Sequence, residues 1–544
     1  MAEAKARRRT RKRAPAAGAA PADQFDAAMK TAYDLSEPSL IVGSPLQDGQ
    51  PHNAVRVRVA LSALNRHGLV AGATGTGKTK TLQLLAGQLS DAGVSVFAAD
   101  IKGDVTGIAA PGDAGDVRLQ ERCRSLGWDF KPGQHPVEFL SLSGRLGAQV
   151  RATVHSFGPI LLAKVLDLNQ TQTSILSLVF KYCDDNHLPL LDLADLRTTL
   201  QFLGSEEGKA VLAQYGGMST ATLGVLLRSI VTLEQQGAGA FFGEPEFEVM
   251  DLLRTDATGK GIVNVLELSD VVDRPRLFST FMLWLLAQLW HALPEVGDLP
   301  VPKLCFFFDE AHLLFEGASQ ALLEEIEQTA RLIRSKGVGI YFVTQVPGDV
   351  PASVLAQLGN RFQHALRAFT PEDADALRKA ARTFPSSAFY DVEKLLTSLG
   401  IGEAAVTVLS PKGTPTELAA TRLVPPDSRM AAIDAAELQR LISASPLQTK
   451  YGTPVDRESA HEMISARLAA ARQAVAAPPQ DGSPSPQSPP DRETRRTERE
   501  RAAAERARAR QVETIVRTGG RVLTSRAGQQ VLRGVFGTLF GGRR

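Results

Sequence analysis

Cysteine is scarce in this chain: Cys123, Cys183 and Cys305 are the only three in 544 residues. They are too few and too scattered for a disulfide framework or a zinc site, and a reducing cytoplasm is the simplest reading. A long apolar run is also missing. The most apolar stretch, residues 277–290, is uncharged but contains Ser279, Thr280 and Gln288. At about 14 residues it falls short of the roughly 20 that a membrane crossing needs, so it reads as a core helix and stable membrane insertion is not expected. No signal peptide is legible. Residues 5–13 carry Lys5, Arg7, Arg8, Arg9, Arg11, Lys12 and Arg13, but an Ala/Pro stretch follows where an apolar segment would be needed. A large net charge is absent too. The formal value of +2 averages two strongly basic ends against a neutral to mildly acidic middle, and basic arms point to an anionic partner.

What is present is a large apolar fraction, 43%, and length for about two to four folding units. Within it lies Gly72-Ala73-Thr74-Gly75-Thr76-Gly77-Lys78-Thr79. A Gly, four residues and Gly-Lys-Thr is the phosphate-binding loop pattern. A short apolar run, residues 67–71, precedes it and reads as a buried strand. Leu82, Leu85, Ala86 and Leu89 follow at helical spacing up to Gly93. The glycines let backbone approach phosphate oxygens closely, and successive N–H groups make an anion nest at a positive helix end. Lys78 is placed to reach the β and γ phosphates and the Thr79 hydroxyl to ligate Mg²⁺. Residues 72–79 together with Thr81 are the expected nucleotide-binding set. The loop does not separate ATP from GTP, but no guanine-specific Asn-Lys-x-Asp motif occurs, which favours ATP.

The expected organisation is an α/β chain with a mostly parallel sheet interrupted by a helical insertion. Residues 1–22 read as a disordered basic tail and 23–66 as a small α/β segment. Within 23–66, Val55, Val57, Val59 and Leu61 alternate with Arg56 and Arg58 on a solvated face. Residues 67–150 open the nucleotide core. They include a strand at 94–99 that ends in Asp100-Ile101-Lys102-Gly103-Asp104. Ligands of doubly wound sheets bind at strand carboxyl ends, so Asp100 and Lys102 face the nucleotide or a neighbouring subunit, or else Asp100 caps a turn. Residues 151–255 are helical and carry no chemical motif. Residues 256–425 complete the core, with strands expected at 362–369 and 403–409. A helical extension (426–475), a Pro/Ser/Gln linker (476–491) and a basic helical segment (492–544) follow.

The second decisive run is Leu304-Cys305-Phe306-Phe307-Phe308-Asp309-Glu310. Five apolar residues make a strand buried on both faces, with two carboxylates at its end. Asp309 is placed to hold Mg²⁺, and Glu310 to act as general base on the attacking water. Asp309-Glu310-Ala311-His312 also spells a tetrapeptide of many RNA helicases, but their Ser-Ala-Thr motif is absent after the next strand. That strand, 338–343, leads instead to Thr344 and Gln345, and Gln345 there senses the γ-phosphate or holds the water. Arg334, eleven positions earlier, and Arg361 are candidates for an arginine supplied to a neighbouring subunit's phosphate.

With these motifs in hand, the chain resembles the HerA/FtsK superfamily of P-loop ATPases, in particular the bacterial HerA-like (YjgR-type) group. The resemblance rests on the loop, on Asp100 to Asp104, on Asp309 to His312, on residues 331–345 and on Leu358-Gly359-Asn360-Arg361, and spans roughly residues 30–425. It implies a RecA-like domain, commonly a hexameric ring that moves double-stranded DNA, using ATP and Mg²⁺. The family's loop Lys and Thr correspond to Lys78 and Thr79, its acidic pair to Asp309 and Glu310, and its sensor glutamine to Gln345. Its trans arginine corresponds best to Arg334, with Arg361 in reserve. The chain departs from HerA proteins proper in that residues 1–66 are short for their N-terminal β-barrel. The expectation is therefore a ring-forming DNA-translocating ATPase. Its rivals are an ATP-dependent protein-remodelling or scaffold ATPase, and a membrane-associated coupling ATPase anchored through residues 531–540.

Overall fold

A computed structural model describes residues 22–315 and 320–476. The expectations for the basic tail, the Pro/Ser/Gln linker and the basic C-terminal segment lie outside the described residues, save Ala22 and Ala476 at their margins. The described residues up to Ala471 form one compact unit.

The strands are β1 (Ser39–Gln47), β2 (Gln50–Pro51), β3 (Val57–Ala60), β4 (Gly68–Ala71), β5 (Ser95–Asp100), β6 (Val137–Ser141), β7 (Ala148–Gln149), β8 (Val263–Glu267), β9 (Leu304–Phe308), β10 (Val338–Thr344), β11 (Asn360–His364), β12 (Glu403–Thr407) and β13 (Ala419–Leu423). They form one sheet in the order β2-β1-β13-β12-β11-β4-β10-β9-β5-β8-β6-β7, with β3 beside β1. From β11 to β7 all neighbours are parallel, and from β11 outward through β12, β13 and β1 they are antiparallel. The chain is thus α/β with a large, mostly parallel sheet.

Continuous apolar runs are what a sheet covered on both faces requires. In β9 the alternation is visible residue by residue. Phe306 and Phe308 enter one core with Phe97, Phe342 and Trp284, while Phe307 enters the other with Tyr341, Leu82 and Leu85. The first core lies under the helix Pro275–Ala292, whose Phe281, Leu285 and Leu289 are buried. Among the described residues no single helix is long and apolar enough to cross a membrane.

The segment 23–66 adds strands to the same sheet: β1 pairs with β13 through Gly43 and Leu423. Helix α1 (Ala22–Tyr33) buries Phe25, Met29 and Tyr33, one per turn, and the Tyr33 hydroxyl donates to the Glu417 carbonyl at 2.6 Å. Arg56 differs from the solvated residue expected. It donates to the carbonyls of Leu126 and Gly127 at 2.8 and 3.2 Å, and its guanidinium lies over the Trp128 ring. The strand expected at 362–369 stops at His364, because the Ala365 carbonyl turns to accept from Ala73 N–H and Leu366 N–H donates to the Leu396 carbonyl.

The helical block contains five helices between Val154 and Gln235. Gln172, polar and exposed in sequence terms, closes a capping box with Asn169 at the start of Gln170–Asp185. The extension holds helices at Ala435–Ala444, Pro446–Tyr451 and Ala460–Ala476. It is tied to the helical block and its exit loop: Ala460 N–H donates to Pro189 O, the Tyr451 hydroxyl to Asp251 at 2.6 Å, and Arg457 to Glu244 at 2.7 Å.

Candidate nucleotide site at the carboxyl edge of the sheet

The glycine-rich loop leaves β4 and enters helix α2 (Lys78–Asp91), whose first-turn amides have no preceding helical carbonyl to bind. Three neighbouring segments hold the loop. Gly72 N–H donates to Thr344 O at 3.2 Å, Ala73 N–H to Ala365 O at 2.9 Å, and Gly402 N–H to Thr76 O at 2.9 Å. Gly77 sits at φ 113°, which side-chain-bearing residues avoid. Gly72 is required by space: a Cβ there would stand 2.5 Å from His364 Cβ. Thr74 and Gly75 are exposed at the loop's mouth, and Thr79 is half-buried one residue into α2.

Lys78 is buried and donates from Nζ to the loop carbonyls of Gly72 (2.8 Å) and Ala73 (3.4 Å). Burial lowers its proton affinity, while Glu310 and Asp309 act the other way. Thr81 turns its hydroxyl inward, to Gly77 O at 3.2 Å and His364 Nε2 at 2.9 Å. It therefore braces the helix start. Its flank, with Gly77, Leu84, Ile401, Pro425 and Met430, lines a mainly apolar cavity of about 410 Å³ beside the loop.

Strand β10 lies between the loop strand β4 and the acidic strand β9. Adjacent strands are about 4.8 Å apart, so the acidic residues stand on the order of 10 Å across the sheet from the loop, with room for a nucleotide's phosphates. Asp309 is 3% exposed. Its Oδ1 accepts from Glu310 N–H at 2.9 Å, and its Oδ2 has no partner among the described residues. Burial first, then the Glu310 charge, push its carboxyl up to about 7. Glu310 has φ 47°, an unusual backbone for a side-chain-bearing residue. Its Oε1 accepts from Lys102 Nζ, and His312 Nδ1 lies 3.4 Å from its Oε2. Burial raises its carboxyl, but the hydrogen bond and charge of Lys102 more than offset this and hold it below the usual range.

Lys102 reaches Glu310 because of Asp100. Asp100 is fully buried and its oxygens accept from the amides of Lys102 (3.1 Å), Gly103 (2.8 Å) and Val105 (2.8 Å). Turn-capping and site-facing, alternatives in the sequence, are one arrangement: the cap builds the turn that aims the lysine. Gln345 is exposed just past the end of β10, beside a cavity of about 500 Å³ shared with His312, Phe315, Val346 and Asp349. It stands between the loop strand and the acidic strand.

The two arginines stand elsewhere. Arg334 lies in the turn before β10, at the amino edge of the sheet, and its guanidinium donates to Asp298 at 2.8 Å. Seven residues of β10 separate that turn from Gln345, about 20 Å at strand rise. Arg361, second in β11, is in register with Leu69 and points its guanidinium at the carbonyls of Leu358 and Thr383, both 3.3 Å away. Neither reaches the phosphate loop of its own chain.

The helicase HerA-like C-terminal family matches residues 46–544. The chain belongs to that family. Among solved structures, the HerA-like chain is similar to the bacterial conjugative coupling protein TrwBdeltaN70 in an unbound form, at 14% identity and TM-score 0.46 over 75% of this chain and 93% of that one. It is similar to VirB4 of Thermoanaerobacter pseudethanolicus at 13% identity and TM-score 0.45, over 72% and 97%. A third is plasmid coupling protein TrwB in complex with ADP and Mg²⁺, at 14% identity and TM-score 0.46, over 74% and 97%. No curated protein matches the chain.

In the HerA-like chain, sequence reasoning missed His364, Gly402 and Glu267, and quoted Asp104 in its motif without giving it a role. The usable signal was position. Asp100 and Glu267 end two neighbouring parallel strands in register, and His364 ends the strand beside the loop strand. Such residues meet at a carboxyl edge, but only once strand order is known.

Proposed function

We propose that this HerA-like protein hydrolyses ATP with Mg²⁺ at the 72–79 loop, and that it does so as a ring-forming motor on double-stranded DNA in the cytoplasm. The observation that carries the hydrolysis is the placement of the buried Asp309 and Glu310 across one intervening strand from Lys78, with the exposed Gln345 at the end of that strand. Lys78 leaves the carbonyls of Gly72 and Ala73 for the β and γ phosphates. Glu310 takes the proton of the attacking water, and Gln345 orients that water. The residues fit a magnesium ion: Asp309 keeps a buried, unpartnered oxygen and Thr79 offers a hydroxyl beside the loop. When bound, the ion neutralises charge on the phosphates. The apolar cavity beside Gly77 and Thr81 takes the base.

Ring formation is supported by the arginines. Arg334 lies on the far edge of the sheet from its own loop, with its guanidinium on Asp298, which is itself largely exposed. A neighbour's loop is then its natural target, and of the two arginines it is the better placed, since Arg361 is committed to backbone carbonyls. The three cysteines are buried and unpaired, which accords with a reducing compartment. The test is ATP turnover against added duplex DNA, with mass measured in nucleotide. Stimulation by DNA of an assembled ring is expected. Turnover that is indifferent to DNA removes the DNA-motor reading and leaves a protein-remodelling ATPase.

A further inference from the structure

Three acids along the carboxyl edge keep a buried oxygen that no donor among the described residues reaches. Asp309, Asp100 and Glu267 stand at the ends of β9, β5 and β8: Phe308 pairs with Ala99, and Asp100 with Glu267. Asp104 follows four residues after Asp100. One carboxylate oxygen from each of Asp100, Asp104 and Asp309 lies within 4.8 Å of the other two. Asp309 Oδ2, Asp104 Oδ1 and Glu267 Oε1 are buried, and none has a partner among the described residues. Asp309 and Glu267 are 3% and 2% exposed.

Nearby cations are engaged elsewhere. Lys102 donates to Glu310, Lys80 to the Met430 carbonyl and Lys78 to the Gly72 carbonyl. Buried carboxylates without donors hold either protons or a cation.

We propose that Asp100, Asp104 and Asp309 form a seat for a divalent cation that fills before the nucleotide arrives. The proposal rests on the Mg²⁺-dependent reading of this site and deepens it: the protein supplies three carboxylates of its own and does not depend on the phosphates to bring the ion. An all-oxygen set selects Mg²⁺ or Mn²⁺ over softer metals. The three amides on Asp100 fix its carboxylate, and carboxylate oxygens keep further lone pairs for a ligand.

The test uses the full chain, stripped with EDTA and freed of nucleotide, titrated with Mn²⁺ while electron paramagnetic resonance reads the free ion. One tightly bound Mn²⁺ per chain is expected without nucleotide, with at least tenfold weaker binding in Asp104→Asn. Lys78→Ala, which removes a phosphate ligand and no metal ligand, should retain the nucleotide-free site. Mn²⁺ bound only after ATP is added overturns the seat while the hydrolysis reading stands. Mn²⁺ bound by a wild-type chain that neither binds nor turns over ATP overturns the hydrolysis reading and leaves the seat. A folded Asp104→Asn chain with wild-type Mn²⁺ affinity overturns the ligand assignment. If that variant melts as an unfolded chain, the wild-type titration alone decides.

Discussion

Glu267 is the acid whose removal has the most calculable effect. It is buried beside Asp100, and no donor meets its Oε1 among the described residues. Burial first, then the Asp100 charge, raise its carboxyl from 4.5 to about 8. A folded-state value above the unfolded one means that the folded chain binds more protons between those two pH values. Stability conferred by the protonated form is present below the unfolded value and is lost as pH climbs through the window. For a single group with these two values the loss is about 1 kcal/mol at pH 5 and about 3 kcal/mol at pH 7. Glu267→Gln keeps the shape, cannot ionise, and its amide can donate towards Asp100. In EDTA the variant should exceed the wild type by about 3 kcal/mol at pH 7, and by no more than about 1 kcal/mol at pH 5. Urea unfolding followed by the fluorescence of Trp128, Trp284 and Trp290 measures both. Equal stability at pH 7, or a gap that widens towards pH 5, would refute the placement of an unpaired acid here.

Two further outcomes concern the catalytic edge. Lys102→Met removes the cation that keeps Glu310 ionised, so the acid limb of kcat/KM should move to higher pH; an unmoved limb contradicts the pairing. Lys78→Ala and Arg334→Ala chains should each be nearly inactive alone. Mixed, they should regain turnover, because some interfaces then pair an intact loop with an intact arginine. No recovery on mixing, in rings shown to contain both chains, contradicts an arginine acting in trans.

The loop and the acidic strand were legible because their signals are local. Two glycines before Gly77-Lys78-Thr79, and five apolar residues before Asp309, carry their meaning within ten positions. What escaped depends on distant pairing. Gly43 meets Leu423, so β1 joins the main sheet through β13, far along the chain. Lys102 meets Glu310 across 208 positions, and His364 meets Thr81 across 283. Arg56 alternates with valines as a solvated strand residue would, yet carbonyls at the end of the helix Val117–Leu126 claim it. The 362–369 run failed as a strand at His364, beyond which Phe369 is 88% exposed. Apolar pattern locates strands, whereas strand order, which decides who shares an edge, is set by contacts that no short window contains.

The central claim is that the 72–79 loop and the Asp309–Glu310 pair form one hydrolytic site. Steady-state ATP turnover of Glu310→Gln against wild type, with nucleotide binding measured on the same samples, tests it most directly. A positioned base contributes about 10²–10⁴-fold, so the variant should bind ATP as the wild type does and turn it over at least about a hundredfold more slowly. Wild-type turnover by a folded, ATP-binding Glu310→Gln chain would contradict it.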